Sequence, residues 1–152
     1  MIDTNLFEKL KADTGYIDKI LQFDVRKLES VDSVEISQYC IALGQYLIYL
    51  KYQMNKTRAE LTQKKRFLES VINQRLTPAI IKKFKTKTNA VDDITKNSKT
   101  IINLEKEINP LQDELILLDG VDKSISELIA AFKRELTRRD NELYTIKQER
   151  KL

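Results

Sequence analysis

The sequence predicts an all-α fold, an elongated antiparallel helical hairpin or bundle of two to three long helices, with short helices at the N-terminus. Gly and Pro together number five among 152 residues, which leaves few turns for a β-fold. Charged residues make up 33% of the chain, and abundant charge with few turns is typical of long helices. Apolar residues also recur at spacings of three and four, as in a helical seam. We therefore treat 1–152 as a single helical unit.

The first segment, residues 1–32, is acidic and predicts short amphipathic helices. Leu6 and Leu10 lie on one face of the first of these helices. Asp32 is followed three residues later by Glu35, the spacing of a capping box at the start of a helix. We expect a long helix to begin there.

The second segment, 33–76, predicts a long helix of roughly 60 Å at about 1.5 Å per residue. It ends where Thr77 precedes Pro78, because proline disfavours the α conformation in the residue before it. The residues at heptad spacing, which predict a coiled-coil-like seam, are Ile36, Cys40, Leu43, Leu47, Leu50, Met54, Thr57, Leu61, Lys64, Leu68 and Val71.

The remaining chain predicts a connector and two further helices. Residues 77–90 form a basic connector that we expect to be exposed and partly irregular. A long helix over 91–119 is predicted to kink at Pro110. It carries a second seam, formed by Ile94, Asn97, Ile101, Leu104, Ile108, Leu111, Leu115 and Leu118. Gly120 is predicted to end that helix, and a C-terminal helix over 122–150 follows. The capping box at its start is Ser124 with Glu127, and its seam is Ile125, Ile129, Phe132, Leu136, Arg139, Leu143 and Ile146.

The composition argues against an enzyme. The chain has no His and one Cys, so it lacks an imidazole base and a Cys/His zinc cluster. Cys40 lies on an apolar helix face and is interpreted as a small core residue rather than a reactive thiol. We expect no catalytic residues, no metal and no cofactor. The chain also lacks a long apolar run and a basic signal-peptide start, which predicts a protein of the cytoplasm or of the cytoplasm of a host.

The positive charge is concentrated in one quarter of the chain. Residues 51–87 hold eleven Lys/Arg and two Asp/Glu, whereas 1–50 and 88–152 each hold more acids than bases. Like charges on a helix repel, and a polyanion relieves that repulsion with release of its counterions. The predicted nucleic-acid-binding residues are Lys51, Lys56, Arg58, Lys64, Lys65, Arg66, Arg75, Lys82, Lys83, Phe84, Lys85 and Lys87.

Aromatic residues lie among these bases. Phe84 lies between lysines, and Tyr46, Tyr49 and Tyr52 precede or flank the first of them, so bases of a single strand have rings on which to stack. The alternative interpretation is that the tyrosines form the edge of the core and that Phe84 caps the end of the bundle. The basic face has alternatives too, namely an acidic partner protein, the acidic N-terminal segment or a membrane surface.

A second basic cluster lies near the C-terminus. Lys133, Arg134, Arg138 and Arg139 are interspersed with acids such as Glu135. The cluster either extends the basic track or is ordinary helix surface, and the sequence favours neither.

Two stretches of the chain together suggest a known family. They are residues 46–66, YLIYLKYQMNKTRAELTQKKR, and residues 117–134, LLDGVDKSISELIAAFKR. The first is similar to the aromatic and then basic helix, and the second resembles the C-terminal helical segment, of the UvsY-type recombination mediators of tailed phages. The resemblance implies a non-enzymatic, ring-like homo-oligomer that binds single-stranded DNA and helps to load a recombinase in place of single-strand-binding protein. It also implies oligomerisation through the C-terminal helix and DNA contact at Lys51, Lys56, Arg58, Lys64, Lys65 and Arg66.

Two functions therefore stand as hypotheses. The first is an oligomeric accessory protein that binds single-stranded DNA, with a recombinase and single-strand-binding protein as further partners. The alternative is a coiled-coil structural, scaffold or adaptor protein whose basic face binds an acidic protein. Two long apolar stripes exceed what one slender hairpin covers, so we expect self-association through the remaining apolar face, with a monomeric three-helix bundle as the alternative.

Overall fold

The structure is a computed structural model that describes residues 14–150. Helix accounts for 92% of it, and no strand occurs in this part of the chain, which confirms the all-α class. A 3-10 helix spans Val25–Ser30 between the first two α-helices. The α-helices are α1 (Thr14–Leu21), α2 (Ser33–Arg75), α3 (Pro78–Phe84), α4 (Lys87–Asn97) and α5 (Lys99–Glu149).

The chain groups into two compact units. The first contains the described residues up to Tyr52 together with those from Asp119 onward, and the second is Gln53–Leu118. The two long helices, α2 and α5, each contribute one segment to either unit.

The predicted seam residues form the core of the first unit. Ile36, Leu43 and Leu50 of α2 are buried, as are Ile125 and Phe132 of α5. They recur at a spacing of seven along each helix, so they lie on one face of it. The helix start predicted at Asp32 is also confirmed, because the Val34 N–H donates to Asp32 Oδ1 at 2.9 Å.

An aromatic cluster joins three elements of the first unit. The Tyr39 ring lies 6.2 Å from Tyr16, 6.0 Å from Phe23 and 5.8 Å from Phe132 between centroids. The Tyr39 hydroxyl donates to the Glu35 carboxylate, and this bond with burial raises the pKa of Tyr39 to about 12. Glu35 therefore binds a tyrosine in the structure rather than closing the capping box.

The core of the second unit follows the predicted seams at six of its eight buried residues, whereas Ala90 and Ser98 belong to none of the predicted seams. Its buried residues are Met54, Thr57, Leu61, Ala90, Ile94, Ser98, Ile101 and Ile108. Ser98 is the break between α4 and α5, and its hydroxyl accepts the Ile101 N–H at 3.4 Å. The sequence did not predict this break, because no acidic residue follows Ser98 at the capping-box spacing.

The predicted helix end at Gly120 is wrong. α5 runs from Lys99 to Glu149 without interruption, and Gly120 is an exposed interior residue of that helix. One glycine costs a helix only about 1 kcal/mol, which the long flanking helix tolerates. Ser124 is therefore not a cap, and its hydroxyl donates to the Gly120 carbonyl at 2.9 Å. Pro110 lies inside the same helix, and the kink there stays a prediction.

The connector predicted to be at least partly irregular is mostly helical, and only residues 77, 85 and 86 of it lie outside helices. Residues 77–90 contribute to α3 and α4, with Lys85 and Thr86 between them. Thr77 and Thr86 are N-caps whose hydroxyls accept from Ile80 N at 3.4 Å and Asn89 N at 3.2 Å. The second long helix was predicted to begin at residue 91, inside what is α4. These threonines are capping residues, which promote helix in a segment that otherwise reads as a linker.

Three other expectations have mixed outcomes. Leu143 and Ile146, assigned to the third seam, are 56% and 44% exposed, so the seam is not covered there by any described residue. Cys40 is half-buried, and burial raises the pKa of its thiol, as expected for a packing residue. Leu6 and Leu10 lie outside the described residues.

Candidate nucleic-acid interface

All but one of the predicted binding residues lie in the second unit. Lys51 is the exception, because it belongs to the first unit. Its ammonium lies 3.9 Å from Asp122 Oδ1, a buried oxygen that has no hydrogen-bond partner among the described residues. Lys51 therefore offsets part of the charge of a partly buried carboxylate of the first unit, while its own side chain is 61% exposed.

Two further predicted residues are engaged within the second unit. Lys64 Nζ lies 2.6 Å from Glu107 Oε2 and 4.0 Å from Glu60 Oε1. The hydrogen bond to Glu107 raises the pKa of Lys64, so this amine stays charged while its charge is offset. The Arg75 guanidinium donates to the hydroxyl of buried Ser98. Both residues connect α2 to the segment that begins α5.

The other bases of α2 in this unit point to solvent. Lys56, Arg58, Lys65 and Arg66 are exposed, and none has a carboxylate within ion-pair distance in residues 14–150. Arg58 donates to the neutral Asn55 Oδ1 at 3.3 Å. These four residues are not one stripe, because their spacing places Lys56 on the opposite flank of α2 from Arg58.

Neutral hydrogen-bonding groups accompany the two arginines. One shallow depression on α2 is lined by Asn55, Arg58, Thr62 and Arg66, among others. A second is lined by Arg66, Asn73 and their neighbours, which include the carboxylate of Glu69. Amides, hydroxyls and guanidinium groups are the side chains that bind phosphate and sugar oxygens. Arg66 lines both depressions and so lies at the centre of this surface.

The turn between α3 and α4 carries the second group of bases. Lys82 and Lys83 occupy the last turn of α3, where the helix dipole favours cations. Lys85 follows, and its φ of 65° lies in the left-handed region that residues other than glycine rarely adopt. With Lys87 at the start of α4, four exposed lysines lie within six residues. We call this group the lysine turn (Lys82, Lys83, Lys85 and Lys87).

Phe84 is a half-buried residue of the same turn. Lys83 Nζ lies 5.3 Å from the centroid of its ring, a cation–π distance. Its carbonyl accepts the Thr86 N–H at 2.8 Å, which fixes the turn. One face of the ring is thus engaged by Lys83, and stacking of a base on the ring stays a prediction.

The tyrosines expected to flank the basic track belong to the first unit. Tyr46 and Tyr49 are half-buried with ring centroids 6.1 Å apart, and burial raises the pKa of Tyr46. This packing favours the alternative interpretation, in which they form the edge of the core.

Two of the four bases of the C-terminal basic cluster, Arg138 and Arg139, are paired with carboxylates within the protein. Arg138 Nη2 and Arg139 Nε bind Glu135 Oε1 at 2.8 and 2.7 Å. The Arg138 bond, followed by the Arg139 bond, lowers the pKa of Glu135 to about 2. Arg139 also donates to the carbonyl oxygen of Val31 at 2.7 Å. These two arginines do not extend the basic track, and sequence spacing alone does not show a contact between residues 108 positions apart.

The comparisons with known proteins add no family. No protein-family model matches the chain, and no curated protein or solved structure is similar to it. The resemblance to UvsY-type mediators therefore stays a prediction based on residues 46–66 and 117–134.

Between residues 14 and 150, no group of three or more metal-binding side chains is placed to hold an ion. Within the same limits, no helix is long and apolar enough to cross a bilayer.

Proposed function

We propose that this protein is a non-enzymatic accessory protein that binds single-stranded nucleic acid through the second unit. The observation that carries the proposal is a set of exposed bases within residues 53–87 that have no carboxylate partner in the described chain and, unlike Arg75, no bond to Ser98. The eight members of this set are Lys56, Arg58, Lys65, Arg66, Lys82, Lys83, Lys85 and Lys87. We call it the open basic set.

The local charge balance supports a polyanionic ligand. From Gln53 to Lys87 the chain has ten Lys/Arg and two Asp/Glu, and one of those acids, Glu60, lies beside Lys64. Solubility alone is served by mixed charges, which add attractive pairs along a helix. An unbalanced set gains free energy when a phosphate chain neutralises it and its condensed counterions are released.

The lysine turn supports a flexible strand more than a rigid duplex. Its four lysines lie within six residues on a tight turn, and α2 offers guanidinium and amide groups on one flank and Lys56 on the other. A flexible single strand adapts to such an irregular arrangement, and Phe84 offers a ring beside it. The recombinase and single-strand-binding protein implied by the family resemblance are secondary partners in this proposal.

We also infer that α2 and α5 are antiparallel within each unit. In the first unit, Ser33 contacts Arg139 and Lys51 contacts Asp122, in reverse chain order. In the second, Lys64 contacts Glu107 and Arg75 contacts Ser98, again in reverse order. These pairs support the hairpin arrangement expected from the sequence.

The test is fluorescence anisotropy with a labelled single-stranded oligonucleotide over a salt series, with duplex DNA as comparison. A single strand contributes about 0.7 to the log–log salt slope per phosphate neutralised. Four to eight engaged cations therefore give a slope of about −3 to −6. Replacing all four residues of the lysine turn by Gln is expected to weaken binding and reduce the slope by up to about 3.

A matched control removes the same charge elsewhere. Lys19, Lys27, Lys133 and Lys147 are also exposed and have no carboxylate partner among the described residues, but they lie in the first unit. Their replacement by Gln is expected to change the slope much less. If the two quadruple variants lost the same affinity and the same salt slope, net charge alone would explain the effect, and a localised interface would be contradicted.

The alternative function is a coiled-coil adaptor whose basic face binds an acidic protein. The long seams of α2 and α5 favour it. Absence of binding to either oligonucleotide at low salt would exclude the nucleic-acid proposal and leave this alternative.

A further inference from the structure

One solvent-facing stripe of α2 is apolar. Val34, Ile41 and Ile48 are 63%, 62% and 57% exposed. Their spacing of seven residues places them on one face of the helix, away from the buried seam of Ile36 and Leu43. All three belong to the first unit, outside the open basic set.

This face also has no charge. No Asp, Glu, Lys or Arg occurs from Ile36 to Leu50, although charged residues make up 33% of the whole chain. On this face, the exposed side chains between the apolar ones are Gln38 and Gln45, four residues after Val34 and Ile41. Glu35 is also exposed, but it lies about 100° around the helix from Val34 and accepts a hydrogen bond from Tyr39. A helix face that stays in water is normally rich in charge, so the composition of this face indicates that another surface covers it.

We propose that the partner of this face is the same face of a second copy. The stripe is self-complementary, because its three residues are evenly spaced about Ile41. A parallel pair places each residue against its equal, and an antiparallel pair places Ile41 against Ile41 and Val34 against Ile48 of the second copy. The seven-residue repeat is the one by which two helices interlock their side chains.

The charge pattern favours a second copy over an unrelated helix. Most helical surfaces carry charges, which would lose water without gaining a partner against this uncharged face. An identical face brings no charged side chains to the contact, and a twofold axis makes every contact occur twice. With three apolar residues per copy the interface is small, so we expect a weak dimer with Kd in the micromolar range or above.

The test is sedimentation velocity of the full chain over a micromolar concentration series, without nucleic acid. The Ile41→Lys variant is expected to weaken dimerisation about tenfold or more, which is about 1.4 kcal/mol. Its helical circular dichroism and Tm are expected to match the wild type, because the side chain is mostly exposed. The matched control is Ile116→Lys, the same change at a residue 70% exposed in the second unit.

A cross-linking experiment locates the contact. Ile41→Cys in a Cys40→Ser background is expected to form an intermolecular disulfide faster than Ser126→Cys, an exposed position of α5, in the same background. Equal rates would overturn the proposal, as would equal losses in the two lysine variants. A monomeric wild type would also overturn it and leave the face to residues 1–13 or to a different protein. None of these outcomes depends on nucleic-acid binding.

Discussion

Arg139 joins the C-terminal part of α5 to the chain that leads into α2, and its removal gives the sharpest test of the first unit. Its guanidinium donates to Val31 O at 2.7 Å, Leu28 O at 2.9 Å and Ser33 Oγ at 3.1 Å. Its Nε binds Glu135 Oε1 at 2.7 Å. The side chain is 17% exposed, so water replaces these bonds only in part.

The expected effect of Arg139→Met follows from which acceptors lose their donor. Leu28 O still accepts the Val31 N–H at 3.2 Å, so losing the bond from Arg139 costs this oxygen little free energy. Val31 O and Glu135 lose charged bonds, each contributing about 1.5–3 kcal/mol, although Glu135 keeps Arg138. Methionine retains much of the packing, so we expect a loss of about 2–3 kcal/mol. At about 2–4 °C per kcal/mol, Tm falls by roughly 5–10 °C.

The assay is urea unfolding followed by circular dichroism at the helix band, with Arg138→Met as control. Arg138 is 47% exposed and binds Glu135 and Glu142 of its own helix, so its loss is expected to be below about 1 kcal/mol. Arg139→Lys retains the positive charge but loses the planar guanidinium group, so its destabilisation is expected to lie between those of Arg139→Met and Arg138→Met. Equal destabilisation by Arg139→Met and Arg138→Met would refute the assignment of a linking role to Arg139.

Three other substitutions test individual features. Gly120→Ala is expected to raise the free energy of unfolding by about 0.5–1 kcal/mol, because a Cβ there meets nothing within 4 Å; a lower urea midpoint would argue against the continuous helix. Lys85→Gly is expected to stabilise by about 0.5–1 kcal/mol, since glycine adopts a positive φ without strain, and unchanged or lower stability would contradict that backbone conformation. The pKa of Glu135 is lowered from 4.5 to about 2, so its contribution is present above the unfolded pKa and is lost as pH falls through the folded value. The stability advantage of wild type over Glu135→Gln should therefore shrink between about pH 5 and pH 2, and a pH-independent difference would count against this linkage.

The helices were predictable from the sequence where buried apolar residues recur at a constant spacing. The seam of Ile36, Leu43 and Leu50 is marked by many residues at one spacing, so no single substitution obscures it. The ends of helices depend on single residues and were less predictable. Asp32 was correctly predicted to be an N-cap. Gly120 was wrongly predicted to end a helix, because its helix penalty of about 1 kcal/mol is small beside the stability of the long helix on either side of it, which a single residue does not reveal.

The sequence predicted the positive charge of the candidate site but not which of its basic side chains remain without a carboxylate partner in the described chain. Composition alone marks residues 51–87 as strongly basic. Which bases remain open depends on contacts between distant residues, such as that of Lys64 with Glu107, 43 positions away. Spacing rules describe neighbours on one helix and carry no information about the partner across the core. The sequence therefore predicts the basic segment but not the division between Lys64 and its open neighbour Lys65.

The distribution of the tyrosines makes one half of the molecule separately observable by fluorescence. The chain has no Trp, and all six tyrosines lie at or before residue 52 or after residue 118, in the first unit. Intrinsic emission therefore reports the packing around Tyr39 and its neighbours, whereas far-ultraviolet circular dichroism reports both units. Coincident transitions by the two signals would mean that the whole chain unfolds cooperatively, and separate transitions would give each unit a stability of its own.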